Sequence, residues 1–189
     1  GAAYVGVIFA GGPRHLSLER AAEVLAGVRG PRRVGVFARQ APDEIAATAR
    51  AVGLDVIQLH ADPAPDDVET VRHATALPIW AAVRVKGGEL PGHLAALAAT
   101  ADGLLLDARV EGALGGTGQT LDWGSLRLPR GRARIILAGG LTPANVRQAL
   151  SALAADTVDV SSGIESTPGI KDHALMRAFA DAVRSRVPA

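Results

Sequence analysis

Short apolar runs alternate along the chain with longer segments in which apolar positions recur at helical spacing. The apolar runs predict strands at residues 4–9, 33–38, 55–60, 79–85, 103–107, 134–138 and 157–161. They are apolar at consecutive positions, as are strands of a parallel sheet that is covered on both faces. The intervening segments predict helices at residues 17–26, 42–52, 66–75, 91–100, 142–154 and 171–185. This order is typical of repeated βα units.

Local signals mark the starts of three predicted helices. Ser17 opens the first helix, and Pro42 takes the first position of the second, followed by the acidic Asp43 near the positive helix end. Thr142 followed by Pro143 predicts an N-cap with proline at the first helical position. These signals support the assignment of the long segments as helices.

The spacing of the predicted strands favours a barrel over an open sheet. Strands recur about every 25 residues, and no G-x-G-x-x-G pattern follows the first one, as it would in a dinucleotide-binding open sheet. Parallel barrels usually close with eight strands, in about 200 residues or more. We therefore predict an α/β fold, a TIM (β/α)8 barrel forming a single domain over residues 1–189, with seven of its eight βα units in this chain.

Composition narrows the possible partners and chemistry. Of the 189 residues, 48% are hydrophobic and 21% charged, and the net charge is +1 without a basic or acidic block. We therefore predict a cytoplasmic protein with no nucleic-acid or membrane partner. The chain has no cysteine, which excludes disulfides, thiolate metal sites and a cysteine nucleophile or base within it. The histidines lack metal-ligand spacing, so neither a metal nor a cofactor is predicted.

Small residues follow the last two predicted strands. Gly139 and Gly140 come after the sixth strand, and Ser161, Ser162 and Gly163 end the seventh. Such residues let backbone N–H groups approach an anion, and barrels commonly bind phosphate in the loops after their final two strands. The alternative is that the glycines only permit tight turns. Because both turns carry the pattern, we predict a phosphate site.

Asp107 ends an otherwise apolar strand, where a carboxylate would point into the barrel mouth. Partial desolvation there favours a general acid. The alternative is a structural carboxylate that caps loop N–H groups or pairs with Arg109. The glycine-rich segment 112–118 that follows favours catalysis, because such a loop can fold over a ligand.

Two further side chains are candidates by position. Arg14 follows a Gly-Gly-Pro turn after the first strand and could bind a substrate carboxylate in bidentate fashion. A solvated surface arginine is the alternative. His60 ends the third predicted strand, where a packed or hydrogen-bonded histidine is commoner than a catalytic one.

Nine stretches of the chain match a known family in order. They are residues 1–9, 13–17, 34–37, 53–60, 104–107, 115–123, 137–146, 158–165 and 168–172. Through them the chain resembles the phosphoribosylanthranilate isomerase family of tryptophan biosynthesis from Gly1 to its C-terminus. The resemblance implies an Amadori rearrangement of N-(5'-phosphoribosyl)anthranilate to 1-(2-carboxyphenylamino)-1-deoxyribulose 5-phosphate by general acid–base catalysis.

The resemblance also assigns roles to residues. It implies that Asp107 is the general acid and that Arg14 engages the anthranilate carboxylate. The backbone around Gly140 and around Ser162 and Gly163 would hold the phosphate. The substrate is thus a small phosphoribosyl compound, and the family includes both monomers and homodimers, so either state is expected.

The chain departs from the family pattern at the general base. In the family the base is a cysteine at the end of the first strand, whereas this chain has none and begins where the family's second strand begins. We therefore expect an N-terminally truncated chain that lacks strand 1, helix 1 and the base, and that is weak or inactive alone. A replacement base is the alternative, with His60 as its candidate. The turn before Arg14 is also about one residue shorter than in the family.

Two other functions remain open at this point. Another phosphate-binding barrel enzyme, such as indole-glycerol-phosphate synthase or the histidine-pathway ribosyl isomerase, would carry a catalytic lysine or a paired aspartate, and neither is found suitably placed. A non-catalytic phosphosugar-binding barrel fragment is the third hypothesis. Unpaired sheet edges would then favour self-association.

Overall fold

The structure, a computed structural model, describes residues 1–85, 89–107, 126–129 and 131–185. The strands are β1 (Tyr4–Ile8), β2 (Arg32–Phe37), β3 (Val56–Leu59), β4 (Ile79–Arg84), β5 (Gly103–Asp107), β6 (Arg134–Ala138), β7 (Thr157–Val158), β8 (Glu165–Thr167) and β9 (Ile170–Lys171). The helices are α1 (Leu18–Ala26), α2 (Pro42–Val52), α3 (Pro65–Thr75), α4 (Leu94–Thr100), α5 (Val146–Ala152) and α6 (His173–Arg184). The glycine-rich segment 112–118 lies outside the described residues.

Strands β1 to β7 form one curled parallel sheet in chain order. Each strand hydrogen-bonds to the next in parallel register, from β1 with β2 to β6 with β7. This confirms the predicted α/β fold with seven parallel strands in chain order. Within the described residues β1 and β7 do not pair with each other.

Two apolar clusters lie on the two faces of the sheet. The larger contains residues of both strands and helices, among them Leu25 of α1 and Ile45 of α2, and joins the sheet to the surrounding helices. The smaller contains only residues of the strands, and its largest members are Trp80, Leu105 and Ile136. It therefore fills the inside of the curl. Because side chains alternate along a strand, residues two positions beyond its members also face the interior.

Aspartates join neighbouring strands at the amino-terminal end of the sheet, called the amino rim here. One stands directly before each of β3, β5 and β7, and these residues are Asp55, Asp102 and Asp156. Each carboxylate accepts the N–H of a residue at the start of the preceding strand. The donors are Arg33, Ile79 and Ile135, at 2.7, 2.9 and 2.8 Å. The side chains thus satisfy backbone donors where the ladders begin.

Asp102 has the most partners of the three. It also accepts from Arg72 Nη1 at 2.6 Å and from Arg132 Nη2 at 3.1 Å. Partial burial opposes its charge, but the bonds from Arg72 and the Ile79 N–H, with the charges of Arg72 and Arg132, hold the pKa of Asp102 below its ordinary value. Asp102 therefore connects α3, β4 and the segment before β6.

Several predicted boundaries are confirmed and others are wrong. Ser17 caps α1 by accepting the Arg20 N–H, and α2 begins at Pro42. The prediction that Thr142 is the N-cap of a helix is wrong, because α5 begins four residues later, after a turn in which the Asn145 side chain accepts the Thr142 N–H at 2.8 Å. The seventh strand covers only Thr157–Val158 of the predicted 157–161.

The segment between β7 and α6 contains a hairpin that the sequence did not predict. After a short 3-10 helix at Ser162–Ile164, β8 and β9 pair in antiparallel fashion. Residue 171, predicted as the start of the last helix, belongs to β9, and Asp172 caps α6 instead. Across the described part of the chain, no helix combines the length and apolarity needed to cross a bilayer.

Candidate active site

Asp107 lies at the carboxyl end of β5 and faces the interior of the curled sheet, two positions beyond Leu105. Its side chain is 12% exposed. The Oδ1 atom is buried and has no hydrogen-bond partner among the described residues. A buried carboxylate oxygen without a partner is costly for folding, so it indicates a group kept for something other than stability.

His60 stands beside Asp107, and Gln58 orients it. The Gln58 amide nitrogen lies 3.1 Å from His60 Nδ1. An amide NH2 group only donates, so Nδ1 of the neutral ring accepts and Nε2 carries the proton. Nε2 in turn lies 3.8 Å from Asp107 Oδ2. Among the described residues, Gln58 is the one polar residue that is buried as a whole, side chain and backbone together, which fits a role in holding the ring.

A second aspartate, Asp159, lies at the same height along the strands as Asp107, on the inner face of the curled sheet. Its N–H donates to the Leu137 carbonyl at 2.8 Å, which extends the β6–β7 ladder by one residue and brings Asp159 beside Ala138. On its other side Ala138 is paired with Asp107. Residues paired in a parallel sheet face the same side. The carboxylates of Asp107 and Asp159 therefore lie on either side of β6, with only Ala138 between them.

The pKa of Asp159 is raised above its ordinary value. Desolvation of its carboxyl group is the largest cause, although the residue as a whole is exposed. The charge of Asp107 raises the pKa of Asp159 further, while the charge of Lys171, and that of His60 when its ring is protonated, act in the opposite direction. Asp159 thus belongs to the same electrostatic group as Asp107 and His60.

The two turns predicted to bind phosphate lie against each other. A Cβ atom on Gly163 would fall 1.8 Å from the Leu141 carbonyl oxygen, so only glycine fits there. Gly139 and Gly140 have φ values of 86° and 65°, the left-handed region that favours glycine. In the described residues, the N–H groups of Gly140, Ser162 and Gly163 donate to no protein acceptor. The paired turns can therefore offer several backbone donors to one anion.

Arg14 lies at the mouth of the sheet but is already engaged. Its Nε is 2.9 Å from Glu165 Oε1, and its Nη2 is 2.6 Å from Oε2. The loop that carries Arg14 is itself fixed, because His15 forms a bridge with Ile8 and its Nδ1 lies 3.1 Å from the Phe9 carbonyl oxygen. Arg14 is therefore positioned by the protein before any ligand binds.

The family model described as "N-(5'phosphoribosyl)anthranilate (PRA) isomerase" matches residues 1–182. An N-(5'-phosphoribosyl)anthranilate isomerase of Rubrobacter xylanophilus is 42% identical over 182 residues, which are 95% of this chain and 86% of that protein. The chain belongs to the N-(5'-phosphoribosyl)anthranilate isomerase family. The match runs through every strand of the curled sheet.

Solved structures of this isomerase family agree in fold. The Thermus thermophilus phosphoribosyl anthranilate isomerase superposes with a TM-score of 0.81 at 30% identity, over 98% of this chain and 89% of the other. A second isomerase was solved in complex with reduced 1-(o-carboxyphenylamino)-1-deoxyribulose 5-phosphate. It gives a TM-score of 0.74 at 27% identity, over 97% of this chain and 88% of the other.

The structure brings the predicted site residues of this isomerase family member to one end of the sheet. Asp107 and His60 approach each other, and the turns at Gly139–Gly140 and Ser161–Gly163 are in contact. Arg14 joins them through Glu165. The roles predicted for these residues stay predictions. In the described part of the chain no group of three His, Cys or acidic side chains is arranged for a metal ion.

Sequence reasoning gave no role to four residues of this site, Gln58, Asp159, Glu165 and Lys171. Two of them carried a signal. Gln58 is a polar residue inside an apolar strand, and Asp159 follows β7 much as Asp107 ends β5. Glu165 and Lys171 carried none, because their contacts depend on a hairpin that local pattern does not reveal.

Proposed function

We propose that this chain acts as an N-(5'-phosphoribosyl)anthranilate isomerase, converting that compound to 1-(2-carboxyphenylamino)-1-deoxyribulose 5-phosphate in L-tryptophan biosynthesis. The reaction shifts hydrogen within one molecule: C1' is reduced while C2' becomes a ketone, so its balance needs only an acid and a base. The observation that supports it most is Asp107, a mostly buried carboxylate with an unpartnered oxygen in a chain that matches the family over residues 1–182.

Asp107 is proposed as the general acid. Protonation of the ribose ring oxygen lets the bond from C1' to that oxygen break, while the anilino nitrogen supplies the electron pair and an iminium forms. The free Oδ1 is available to the substrate. His60 Nε2 lies 3.8 Å from the other oxygen, Oδ2, close enough to interact electrostatically with the carboxyl group. Low exposure shields this proton from bulk water.

A base must then remove the proton from C2', giving an enol that relaxes to the ketone. This chain has no cysteine, the residue that the resemblance implies for that step. His60 is a poor substitute, because Nδ1 is occupied by Gln58 and Nε2 carries a proton. We therefore expect turnover by this chain alone to be slow, while binding is retained.

The phosphate is proposed to bind at the paired turns. The proposed donors are the backbone N–H groups of Gly139, Gly140, Ser161, Ser162 and Gly163. The close approach of Gly163 to Leu141 supports this, because it brings the two turns together. Neutral donors of fixed geometry hold a dianion without a long side chain having to be ordered. Arg14 is proposed to bind the anthranilate carboxylate through the N–H groups that Glu165 leaves free.

The same proposal covers the architecture, the cellular location and the oligomeric state of the chain. The curled sheet is interpreted as seven of the eight units of a (β/α)8 barrel, with the whole chain one domain. The cytoplasm is the expected location, and monomer and homodimer both remain expected states.

A binding role without catalysis is the second candidate function, supported by the presence of both phosphate turns in a chain without cysteine. The family match favours the isomerase over indole-glycerol-phosphate synthase.

Two assays test the proposal on the unaltered chain. Turnover is followed by the loss of phosphoribosylanthranilate fluorescence under single-turnover conditions, and binding of the reduced product by titration calorimetry. The isomerase proposal expects both binding and slow turnover, whereas a binding-only role gives binding alone. Absence of binding would contradict both.

The phosphate assignment needs its own variants. In Gly163→Ala the new methyl group would meet the Leu141 oxygen at 1.8 Å, so we expect affinity for the reduced product to fall at least tenfold. Ser162→Asp adds a negative charge without this clash and should weaken binding similarly. The matched control is Gly30→Ala, which has a φ of 93° but open space around its Cβ and lies at the opposite end of the sheet. Unchanged affinity in folded Ser162→Asp would refute the assignment.

A further inference from the structure

Glu165 is an acidic residue buried among cations. Its side chain is only 3% exposed. Arg14 approaches it side-on, with Nε at 2.9 and 3.0 Å from the two carboxylate oxygens and Nη2 at 2.6 Å from Oε2. The bonds from Arg14 and Lys171 lower the pKa of Glu165 to about 2, against the effect of its desolvation. Glu165 therefore stays ionised throughout the physiological range.

Lys171 extends this contact to the predicted phosphate turn. Its Nζ donates to Glu165 Oε1 at 2.9 Å and to the Ser161 carbonyl oxygen at 3.0 Å. The hairpin of β8 and β9 holds Glu165 and Lys171 opposite each other in register. The chain of contacts thus runs from Arg14, after β1, through Glu165 and Lys171 to Ser161, after β7.

The way Glu165 binds Arg14 determines which donors remain. A guanidinium group has five N–H donors in a plane, and Glu165 uses the edge formed by Nε and Nη2. The opposite edge keeps both N–H groups of Nη1 and the second N–H of Nη2. In the described residues nothing else accepts from Arg14. That free edge matches the spacing of a second carboxylate.

We propose that Glu165 is a positioning residue that fixes Arg14 for the carboxylate of the substrate and, through Lys171, ties this contact to the phosphate turn. The inference rests on the proposed function, because it takes the ligand to carry a carboxylate and a phosphate. Both recognition points are then attached to one hairpin. A ligand that satisfies one is presented to the other at a fixed distance, which lowers the ordering cost of binding.

The opposite interpretation gives an opposite result. If Glu165 only neutralised Arg14 and blocked it, removal of its charge would free the guanidinium and tighten the binding of a carboxylate. If Glu165 only stabilised the fold, its loss would weaken all ligands equally. The three interpretations differ in how affinity depends on the carboxyl group of the ligand.

The experiment uses two ligands that differ only in that group. One is reduced 1-(o-carboxyphenylamino)-1-deoxyribulose 5-phosphate, and the other is the same compound made with aniline, which lacks the carboxyl group. Their Kd values are measured by titration calorimetry on the unaltered chain and on Glu165→Gln. We expect Glu165→Gln to weaken the carboxylated ligand at least tenfold and the other less than twofold. Binding requires no turnover, so a slow enzyme does not affect the test.

A double-mutant cycle sharpens the result. Arg14→Met should abolish the preference for the carboxylated ligand, and Glu165→Gln added to it should cost that ligand nothing more. Glu165→Asp keeps the charge but shortens the reach, so we expect a smaller loss that is again confined to the carboxylated ligand. It also serves if Glu165→Gln does not fold. The matched control is Glu69→Gln, a glutamate 3.6 Å from Arg72 away from the site, which should change neither Kd.

Each result decides between the interpretations. Equal weakening of both ligands would overturn the positioning role, and so would tighter or unchanged binding of the carboxylated ligand in Glu165→Gln. Failure of the proposed function looks different, because the unaltered chain would then bind neither ligand, or both with the same Kd.

Discussion

Aspartates stand at both ends of the curled sheet, and the two ends use them differently. At the amino rim, Asp55, Asp102 and Asp156 each accept a backbone N–H from a neighbouring strand. At the other end, Asp107 keeps a buried oxygen without a partner among the described residues, and desolvation raises the pKa of Asp159. The same residue type thus stabilises one end of the sheet and is left available at the other.

The physical reason lies in which backbone groups the two ends present. Strands begin at the amino rim, where N–H groups of the first residues have no ladder partner, and a carboxylate can accept from them. At the carboxyl end the carbonyl oxygens predominate, and a carboxylate cannot bond to these while it is ionised. (β/α)8 barrels in general keep stability at one end and chemistry at the other.

The largest expected effect is that of Asp107→Asn. If Asp107 is the general acid, turnover in the fluorescence assay falls by about 10²- to 10⁴-fold. The free energy of unfolding should be unchanged or up to about 1 kcal/mol higher, because no hydrogen bond to Oδ1 is lost and the charge on a buried, unpartnered group is removed. Denaturant titration measures it. Unchanged turnover together with marked destabilisation would mean that Asp107 stabilises the sheet, as the amino-rim aspartates do, and is not the general acid.

Asp102→Asn should do the reverse. Replacing the carboxylate leaves Arg72 and Arg132 without their anion and turns an amide NH2 towards other donors, which we expect to lower the free energy of unfolding by about 3 kcal/mol. Affinity for the reduced product should be unchanged in the folded protein. Asp181→Asn, in an exposed pair with Arg184, is the control and should be neutral.

Smaller losses are expected at the other two positions of the amino rim. Asp55→Asn and Asp156→Asn each weaken one bond to a backbone N–H, and we expect about 1 kcal/mol of destabilisation for each in urea denaturation. The two sites lie on different strand pairs, so their effects should add. A double variant that departs from additivity would show that the rim acts as one unit.

Asp159→Asn is expected to have the smallest effect, with the opposite sign. Folding raises the pKa of the Asp159 carboxyl group. The free energy of unfolding therefore falls as the pH rises from the unfolded-state pKa, about 3.9, through the folded-state pKa. Removal of the charge should therefore raise the melting temperature at pH 8 and leave it unchanged at pH 3. A lower melting temperature at pH 8 would mean that Asp159 stabilises the sheet as the amino-rim aspartates do.

The regular part of this fold could be predicted from sequence, and the irregular part could not. Strands buried on both faces are apolar at consecutive positions and can be recognised from the sequence, as at residues 104–106 of β5. The predicted start of α5 was wrong because a non-helical turn separates the capping signal at Thr142 and Pro143 from the first residue of the helix, Val146. The seventh strand ended early because its ladder extends only one residue past Val158 before the 3-10 turn.

The same distinction holds for the site. Asp107 and the glycine turns are local features at strand ends, so position alone indicated them. The partner of Arg14 is 151 residues away in the sequence, and no local pattern could have indicated it. The availability of Asp107 Oδ1 is likewise a property of packing, which the sequence does not express.

The contact between Arg14 and Glu165 also has a mechanical consequence. Neighbouring strands from β1 to β7 are joined by backbone ladders, whereas β1 and β7 are linked near the mouth by this ion pair and by the hairpin, which packs near Pro13. Under a load applied across the described part of the sheet, we expect these side-chain contacts to separate before the backbone ladders do. Because the Glu165 side chain is only 3% exposed, added salt would screen this ion pair much less than an exposed one.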